Sequence, residues 1–174
     1  ELTGARYHVA HLSTEAAIER VRRAKEAGLP VTSDTAPPYF ALNETAVGDY
    51  RTFAKLSPPL RSEADRRAVV DGLKDGTIDV IASDHAPHDQ DSKRLPFAQA
   101  EFGVVGLETM LPLALELCHN GAVPLLTLLK CMTATPARLL KLPHGRLTAG
   151  APADLLLFDI DAPWRIDERK LRSK

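Results

Sequence analysis

Apolar residues in the first half of the chain recur in short runs that alternate with longer segments of helical periodicity. The short runs predict buried β-strands at residues 7–11, 31–35 and 79–83. The periodic segments predict α-helices at residues 14–27 and 63–75, each with a serine or threonine before it and a glycine after it. Because each helix lies between two strands, the pattern favours a parallel sheet with helices packed outside it.

The second half of the chain predicts further helices and one more strand. Helical patterns cover residues 104–119 and 123–141, and residues 153–159 predict a strand. Two long connections, at residues 36–61 and 85–103, each follow a predicted strand. Loops of this length are uncommon in compact domains unless they serve a site. The charged run 89–94 is either a solvated loop or a mobile loop over such a site.

The number of predicted strands decides how the fold is interpreted. Three strands cannot close a (β/α)8 barrel, which needs eight. We therefore interpret residues 1–144 as the C-terminal part of a (β/α)8 TIM-type barrel of the α/β class, with about three βα units. Residues 145–174 are expected to start the C-terminal segment of a small composite β-domain. The first residues resemble a helix end capped by Gly4, so we expect the chain to begin inside a domain.

Composition and charge argue against several classes of partner. The chain has 174 residues, of which 44% are hydrophobic and 26% charged, as in an ordinary globular domain. Its net charge of −1 gives no electrostatic reason to expect a nucleic acid or an anionic membrane surface as a partner. No apolar run approaches the ~20 residues of a membrane span. The two cysteines lie in apolar helical patterns, and a reducing cytoplasm is the expected location.

Ionisable side chains stand where two of the predicted strands end. Asp84, His85 and His88 follow the apolar run of the third strand, and His11 ends the first. The carboxyl ends of strands are where binding and chemistry collect in α/β folds. A carboxylate and an imidazole, each at the exit of a strand, are the usual parts of a hydrolytic metal site.

Together with other motifs, these residues resemble the dihydroorotases of the amidohydrolase superfamily. The resemblance covers nearly the whole chain, in order and with similar spacing. The motifs are H-V-A-H-L-S-T at 8–14, K-L-S-P-P-L-R at 55–61, D-G-T-I-D-V-I-A-S-D-H-A-P-H at 75–88, F-G-V-V-G-L-E-T at 102–109 and G-R-L-T-A-G-A-P-A-D-L-L-L-F-D at 145–159.

The resemblance implies a binuclear zinc centre and a division of roles within it. His11 matches the histidine that ligates the more exposed zinc ion. Asp84 matches the aspartate that touches the more buried zinc ion and carries a proton from the metal-bound hydroxide to the departing amide nitrogen. In the family the other ligands and a substrate-binding arginine lie upstream of the residues matched here. The chain alone is therefore expected to be inactive.

The resemblance also implies substrate contacts, and each has a plainer alternative. His88 matches a histidine that holds a substrate carboxylate, although it could be a solvated loop residue. Ser57 stands where many family members have a substrate-binding asparagine, although it could simply form a turn beside a proline. Phe102 and Gly103 match a pair whose main chain contacts the pyrimidine-like ring. We interpret His85 as structural rather than catalytic.

One segment departs from the family pattern. Residues 36–39 are A-P-P-Y, where many relatives carry T-P-H-H. We do not place this run at a metal-ligand position, so the change is expected to affect loop packing or the fit of the substrate.

These observations favour a zinc-dependent dihydroorotase that interconverts N-carbamoyl-L-aspartate and L-dihydroorotate in de novo pyrimidine biosynthesis. The partner is then a small-molecule substrate, with a homo-oligomer expected and aspartate transcarbamoylase as a further possible partner. The first alternative is another cyclic amidohydrolase, such as a hydantoinase or an allantoinase. The second is a non-catalytic dihydroorotase-like protein that supports an aspartate transcarbamoylase.

Overall fold

Three parallel strands form the centre of the structure, a computed structural model that describes residues 2–173. The strands are β1 (Tyr7–Val9), β2 (Val31–Thr35) and β3 (Val80–Ile81), and they pair in the order β1-β2-β3. Tyr7 pairs with Val31, and Asp34 pairs with Val80, both in parallel register. The predicted parallel sheet is confirmed, although β1 and β3 are shorter than predicted.

The helices follow the strands as the α/β class requires. Their bounds are α1 (Glu15–Glu26), α2 (Pro37–Ala41), α3 (Glu63–Asp75), α4 (Gln90–Lys93), α5 (Met110–His119), α6 (Leu125–Met132) and α7 (Ala134–Leu139), with short 3-10 helices at Glu44–Val47 and Thr52–Ala54. The predicted helices at 14–27 and 63–75 are confirmed as α1 and α3. Ser62 caps α3, since its hydroxyl accepts a hydrogen bond from the Asp65 N–H at 3.2 Å.

The core lies between the sheet and the helices that cover it. Its most deeply buried side chains are apolar and come from α1, α2, α3, α6 and the connections: Ile18, Phe40, Val69, Leu73, Ile78, Val123 and Leu128. Burying each such side chain contributes about 1.5–3 kcal/mol to folding. The packing of α1 on β2 and of α6 on β3, with α3 packed on α1, therefore holds the carboxyl ends of the strands in fixed positions.

Two of the predicted helices have different bounds in the structure. The pattern at 104–119 becomes helical only at Met110, because Val104 instead forms an isolated parallel bridge with His85. The pattern at 123–141 is divided into α6 and α7, since Thr133 between them has non-helical dihedral angles (φ −130°, ψ −80°). Apolar periodicity continues across both interruptions, which is why the sequence does not reveal them.

The strand predicted at residues 153–159 is wrong, because these residues form no strand in the structure. The consecutive side chains of Leu155, Leu156 and Leu157 are exposed. A strand needs a neighbour to satisfy its backbone hydrogen bonds, and the structure pairs no strand with this segment. The domain boundary at residue 145 thus stays a prediction. In the part of the chain that is described, no helix has the length and apolar character needed to cross a membrane.

Gly106 generates a prediction about how the chain after β3 packs. A Cβ atom at this position would lie 2.3 Å from the Ser83 carbonyl oxygen, which belongs to the backbone just before Asp84. We predict that Gly106→Ala in the intact protein lowers the free energy of unfolding by about 1–3 kcal/mol, measured by urea denaturation. Gln99→Ala, an exposed position in the preceding loop, is the control and should leave the free energy of unfolding unchanged. Equal stability of the two variants would contradict the prediction.

Candidate active site

His11 and Asp84 lie side by side at the carboxyl edge of the sheet. His11 follows β1 and Asp84 follows β3, and the His11 Nε2 atom is 3.7 Å from Asp84 Oδ1. Both side chains are partly accessible, with 32% and 18% of their surfaces exposed. The structure therefore brings together the two residues that the sequence predicted for metal binding and catalysis.

Both residues have a backbone conformation that non-glycine residues rarely adopt. The φ angle is 55° at His11 and 46° at Asp84, in the left-handed region. Backbone strain of this kind persists where the surrounding structure enforces it, and it is concentrated at functional sites. The strained turns aim an imidazole and a carboxylate at each other.

Asp34, a residue that the sequence analysis did not single out, holds His11 in place. One of its carboxylate oxygens, Oδ1, accepts hydrogen bonds from the His11 N–H at 2.8 Å and from His11 Nδ1 at 3.0 Å. Because a carboxylate can only accept, Nδ1 carries a proton, and Nε2 is the ring nitrogen that faces Asp84. This is the arrangement in which a carboxylate orients a metal-binding histidine.

The other oxygen of Asp34 binds His8. His8 Nε2 lies 2.8 Å from Asp34 Oδ2, and His8 Nδ1 lies 2.8 Å from the Thr32 hydroxyl. His8 and His11 thus bind the two oxygens of the same carboxylate. Asp34 is thus a buried carboxylate, 6% exposed, whose charge is compensated by hydrogen bonds on both oxygens.

Tyr39 contacts the other carboxylate oxygen of Asp84. Its hydroxyl lies 3.3 Å from Asp84 Oδ2 and 3.0 Å from the Pro58 carbonyl oxygen, and can donate its hydrogen to either. Burial raises the pKa of the Tyr39 phenol above its usual range, and the Asp84 carboxylate adds to this shift. The phenol therefore stays protonated and available as a donor to Asp84.

The departure from T-P-H-H at residues 36–39 has a structural explanation. Ala36 is fully buried, and Tyr39 and the following Phe40 are almost so. Pro37 and Pro38 form the first turn of α2, where a missing N–H is tolerated. The segment packs the loop against the core and supplies a hydroxyl to Asp84, in agreement with the expected effect on loop packing.

His88 and Gly103 form a second group of predicted site residues. A Cβ atom on Gly103 would lie 2.7 Å from Ala86 Cβ and 3.3 Å from His88 Nε2, so the glycine allows close contact. Both residues line a cavity of about 360 Å³, together with Phe53 and Lys93. A larger cavity, of about 670 Å³, lies between α5 and residues 158–164 and is lined by none of the predicted site residues.

The main chain at Phe102 and Gly103 is not equally open to a ligand. The Gly103 N–H donates to the Lys55 carbonyl oxygen at 2.8 Å, and the Gly103 carbonyl accepts from Lys93 Nζ at 2.9 Å. Among residues 2–173, the Phe102 N–H and C=O have no hydrogen-bond partner. A main-chain contact with a ring would therefore fall mainly on Phe102.

Ser57 and His85 differ in their contacts with the rest of the structure. The Ser57 side chain is exposed, and it is joined to Asp84 only indirectly, through the contact between Tyr39 and the Pro58 carbonyl. His85 Nδ1 accepts hydrogen bonds from the N–H groups of Gly106 and Leu107 at 3.1 and 3.2 Å. These bonds support the structural interpretation of His85, whereas the role of Ser57 stays a prediction.

The donor set fits a metal ion in part. Imidazole nitrogen and carboxylate oxygen are both zinc ligands. His11 Nε2 and Asp84 Oδ1 are 3.7 Å apart, so both could contribute to one metal centre. Residues 2–173 contain no group of three potential ligands, so these two residues could supply part of a site.

A match to a protein-family model defines the class to which this chain belongs. Residues 1–172 match the model of the amidohydrolase family, and the chain belongs to that family. The three strands and their helices correspond to part of the (β/α)8 barrel of this family, which confirms the predicted fold class.

Individual relatives make the similarity more specific. The chain is 49% identical over its whole length to a dihydroorotase of Anaplasma phagocytophilum and 51% identical to one of Desulforapulum autotrophicum. It spans only 39% and 41% of the length of these relatives. Its structure resembles that of the L-hydantoinase (dihydropyrimidinase) from Arthrobacter aurescens with a TM-score of 0.88 and 30% identity, over 95% of this chain and 38% of that one.

The contacts of Asp34 generate a prediction for the site. We predict that Asp34→Asn in the intact protein lowers the affinity for a divalent metal ion by about 10–100-fold, because the amide has only one acceptor oxygen to share between His8 and His11 and lacks the negative charge of the carboxylate. Chelator competition followed by elemental analysis measures this change. Asp71→Asn, an exposed position on α3, is the control and should leave the affinity unchanged. Wild-type metal affinity in Asp34→Asn would contradict the assigned role.

Proposed function

We propose that the intact protein is a zinc-dependent dihydroorotase, which interconverts N-carbamoyl-L-aspartate and L-dihydroorotate in de novo pyrimidine biosynthesis. The observation that carries the proposal is the oriented pair of His11 Nε2 and Asp84 Oδ1, 3.7 Å apart. The pair lies in a chain that matches dihydroorotases from end to end at about half identity. The proposal includes a cytoplasmic location and a small-molecule substrate.

Hydrolysis or closure of a cyclic amide needs a nucleophilic hydroxide at neutral pH and an acid for the leaving nitrogen. A divalent metal ion held in part by His11 and Asp84 would supply the first requirement, because such an ion lowers the pKa of bound water to about 7 and polarises the carbonyl. Asp84 supplies the second, since its carboxylate can take a proton and deliver it to the amide nitrogen. The Tyr39 hydroxyl, 3.3 Å from Oδ2, is placed to hold that carboxylate in one orientation.

The substrate contacts are assigned to the second group of residues. His88 is half-buried beside the cavity and would bind a substrate carboxylate, for which a charge-assisted hydrogen bond is suitable. The open N–H and C=O of Phe102 would pair with the ring amide, while Gly103 leaves room for this approach. Ser57 is kept as a further candidate contact on the loop before α3.

Groups outside this chain would complete the metal centre and the small β-domain. His11 would serve the more exposed and Asp84 the more buried of two zinc ions, with the remaining ligands supplied from outside residues 1–174. Residues 145–174 would enter a small β-domain, in which the exposed leucines at 155–157 acquire a partner strand. A homo-oligomer, or an assembly with aspartate transcarbamoylase, completes the proposal.

A second candidate function is that of a hydantoinase-like cyclic amidohydrolase. It is favoured by the structural similarity to the Arthrobacter aurescens L-hydantoinase (dihydropyrimidinase), with a TM-score of 0.88. Assays of the intact protein on dihydroorotate, hydantoin, dihydrouracil and allantoin would separate the candidates. Turnover of hydantoin in preference to dihydroorotate would overturn the proposed function, and a metal-free protein inactive on all four would indicate the non-catalytic alternative.

The role of Asp84 predicts a large effect on turnover. In the intact protein, Asp84→Asn should lower kcat for dihydroorotate by about a thousandfold, because the amide cannot carry the proton. Asp91→Asn, an exposed position on α4, is the matched control and should retain wild-type turnover. Steady-state kinetics at saturating substrate measure both variants. Activity of Asp84→Asn within about tenfold of the wild type would be incompatible with a proton-transfer role.

The role of His88 predicts a different kinetic signature. His88→Ala should raise KM for dihydroorotate by about tenfold or more, because a charge-assisted hydrogen bond to the carboxylate is lost, and should leave the metal content unchanged. Kinetics and elemental analysis on the same preparation provide the two measurements. His119→Ala, an exposed position at the end of α5, is the control. Loss of metal from His88→Ala would instead identify His88 as a ligand.

A further inference from the structure

Lys93 is a buried residue that the proposed reaction does not use. It is the last residue of α4, and only 3% of its surface is exposed. Its ammonium donates to the carbonyl oxygens of Glu101 at 2.8 Å and Gly103 at 2.9 Å, and lies 5.8 Å from the centre of the Phe53 ring. Within residues 2–173, no carboxylate forms an ion pair with it.

Burying this ammonium is unfavourable in itself. A lysine is rarely buried without a charged partner, because its charged form loses hydration. Burial lowers the pKa of the Lys93 ammonium, and the nearby positive charge of Lys55 adds to this shift. Carbonyl oxygens and an aromatic face compensate the lost hydration in part. The buried ammonium has therefore exchanged hydration for hydrogen bonds to two main-chain carbonyl oxygens, whose positions it fixes.

The groups that Lys93 binds flank a single residue. Glu101 and Gly103, whose carbonyl oxygens accept from the ammonium, stand immediately before and after Phe102. The Gly103 N–H is bound in addition by the Lys55 carbonyl oxygen. The main chain is thus fixed on both sides of Phe102, while the N–H and C=O of Phe102 itself stay open.

A second lysine fixes the preceding part of the same loop. Lys55 Nζ donates to three carbonyl oxygens of the loop, those of Phe97 at 2.8 Å, Ala98 at 3.3 Å and Ala100 at 2.6 Å. Its ammonium also lies 5.5 Å from the centre of the Phe97 ring. Lys55 holds residues 97–100 and Lys93 holds residues 101–103, so the last part of the connection 85–103 is fixed along this length.

We propose that Lys93 is a positioning residue for substrate recognition, which holds the main chain on both sides of Phe102 so that its N–H and C=O are presented to the ring of a cyclic amide beside His88. This inference rests on the proposed function for the identity of the substrate. It assigns to the buried ammonium the task of fixing a binding surface, with Lys93 itself making no contact with the reacting atoms.

Two substitutions of Lys93 and one control test the proposal in the intact protein. Lys93→Met keeps the length of the side chain and removes its donors, Lys93→Arg restores charge and donors, and Lys74→Met changes an exposed lysine on α3. For Lys93→Met we expect KM for dihydroorotate to rise at least about tenfold with kcat within about threefold of the wild type. Lys93→Arg should recover part of this loss, and Lys74→Met should show none.

Two further measurements separate positioning from a merely structural role. Hydrogen–deuterium exchange of peptides that cover residues 96–104 should be faster in Lys93→Met than in the wild type, whereas the thermal midpoint should change by only about 3 °C. A lowered midpoint with unchanged KM would overturn the proposal, and so would unchanged exchange at residues 96–104. A wild type inactive on dihydroorotate would contradict the proposed function, whereas unchanged KM in an active Lys93→Met protein would contradict the role of Lys93 alone.

Discussion

The geometry of the site depends on the hydrogen bonds between the Asp34 carboxylate and His11. It lies near the end of β2 and accepts hydrogen bonds from the main chain and side chain of His11, just beyond β1. Two further hydrogen bonds join the residues after β1 to the end of β2. The Leu12 N–H donates to the Asp34 carbonyl oxygen at 2.8 Å, and the Thr35 hydroxyl donates to the Leu12 carbonyl oxygen at 2.8 Å. The residues that follow β1 are therefore bound to β2, and these bonds stabilise the left-handed backbone conformation at His11.

Polar contacts fix the conformation of the long connections, as they do at the strand ends. A loop of about 20 residues has many conformations, and polar contacts with its own backbone select one of them. The lysines at 55 and 93 supply these contacts by binding successive carbonyl oxygens between residues 97 and 103. The aromatic rings of Phe97 and Phe53 cover the two ammonium groups. The predicted substrate-binding surface is therefore held by charged groups, with apolar packing beneath it.

Apolar burial and hydrogen bonding position different parts of the molecule. Apolar burial by α1, α3 and α6 determines where the strands lie, and it leaves their carboxyl ends free for polar residues. Hydrogen bonds that involve buried or half-buried charges then determine the orientation of His11, Asp84 and the residues around Phe102. Strain at His11 and Asp84 is tolerated because the sheet and its polar contacts hold both positions.

The sequence by itself determined the parallel sheet, the helices α1 and α3, and the placement of His11 and Asp84 at strand ends, because hydrophobic period and capping residues are local signals. Only the tertiary structure decided what depends on partners distant in the chain. Asp34 looked like an ordinary strand residue until β1 was paired with β2, and Lys93 looked like part of a solvated charged run until residues 101–103 folded over it. The segment 153–159 has the pattern of a strand, yet a pattern forms a strand only when a neighbour satisfies its backbone hydrogen bonds.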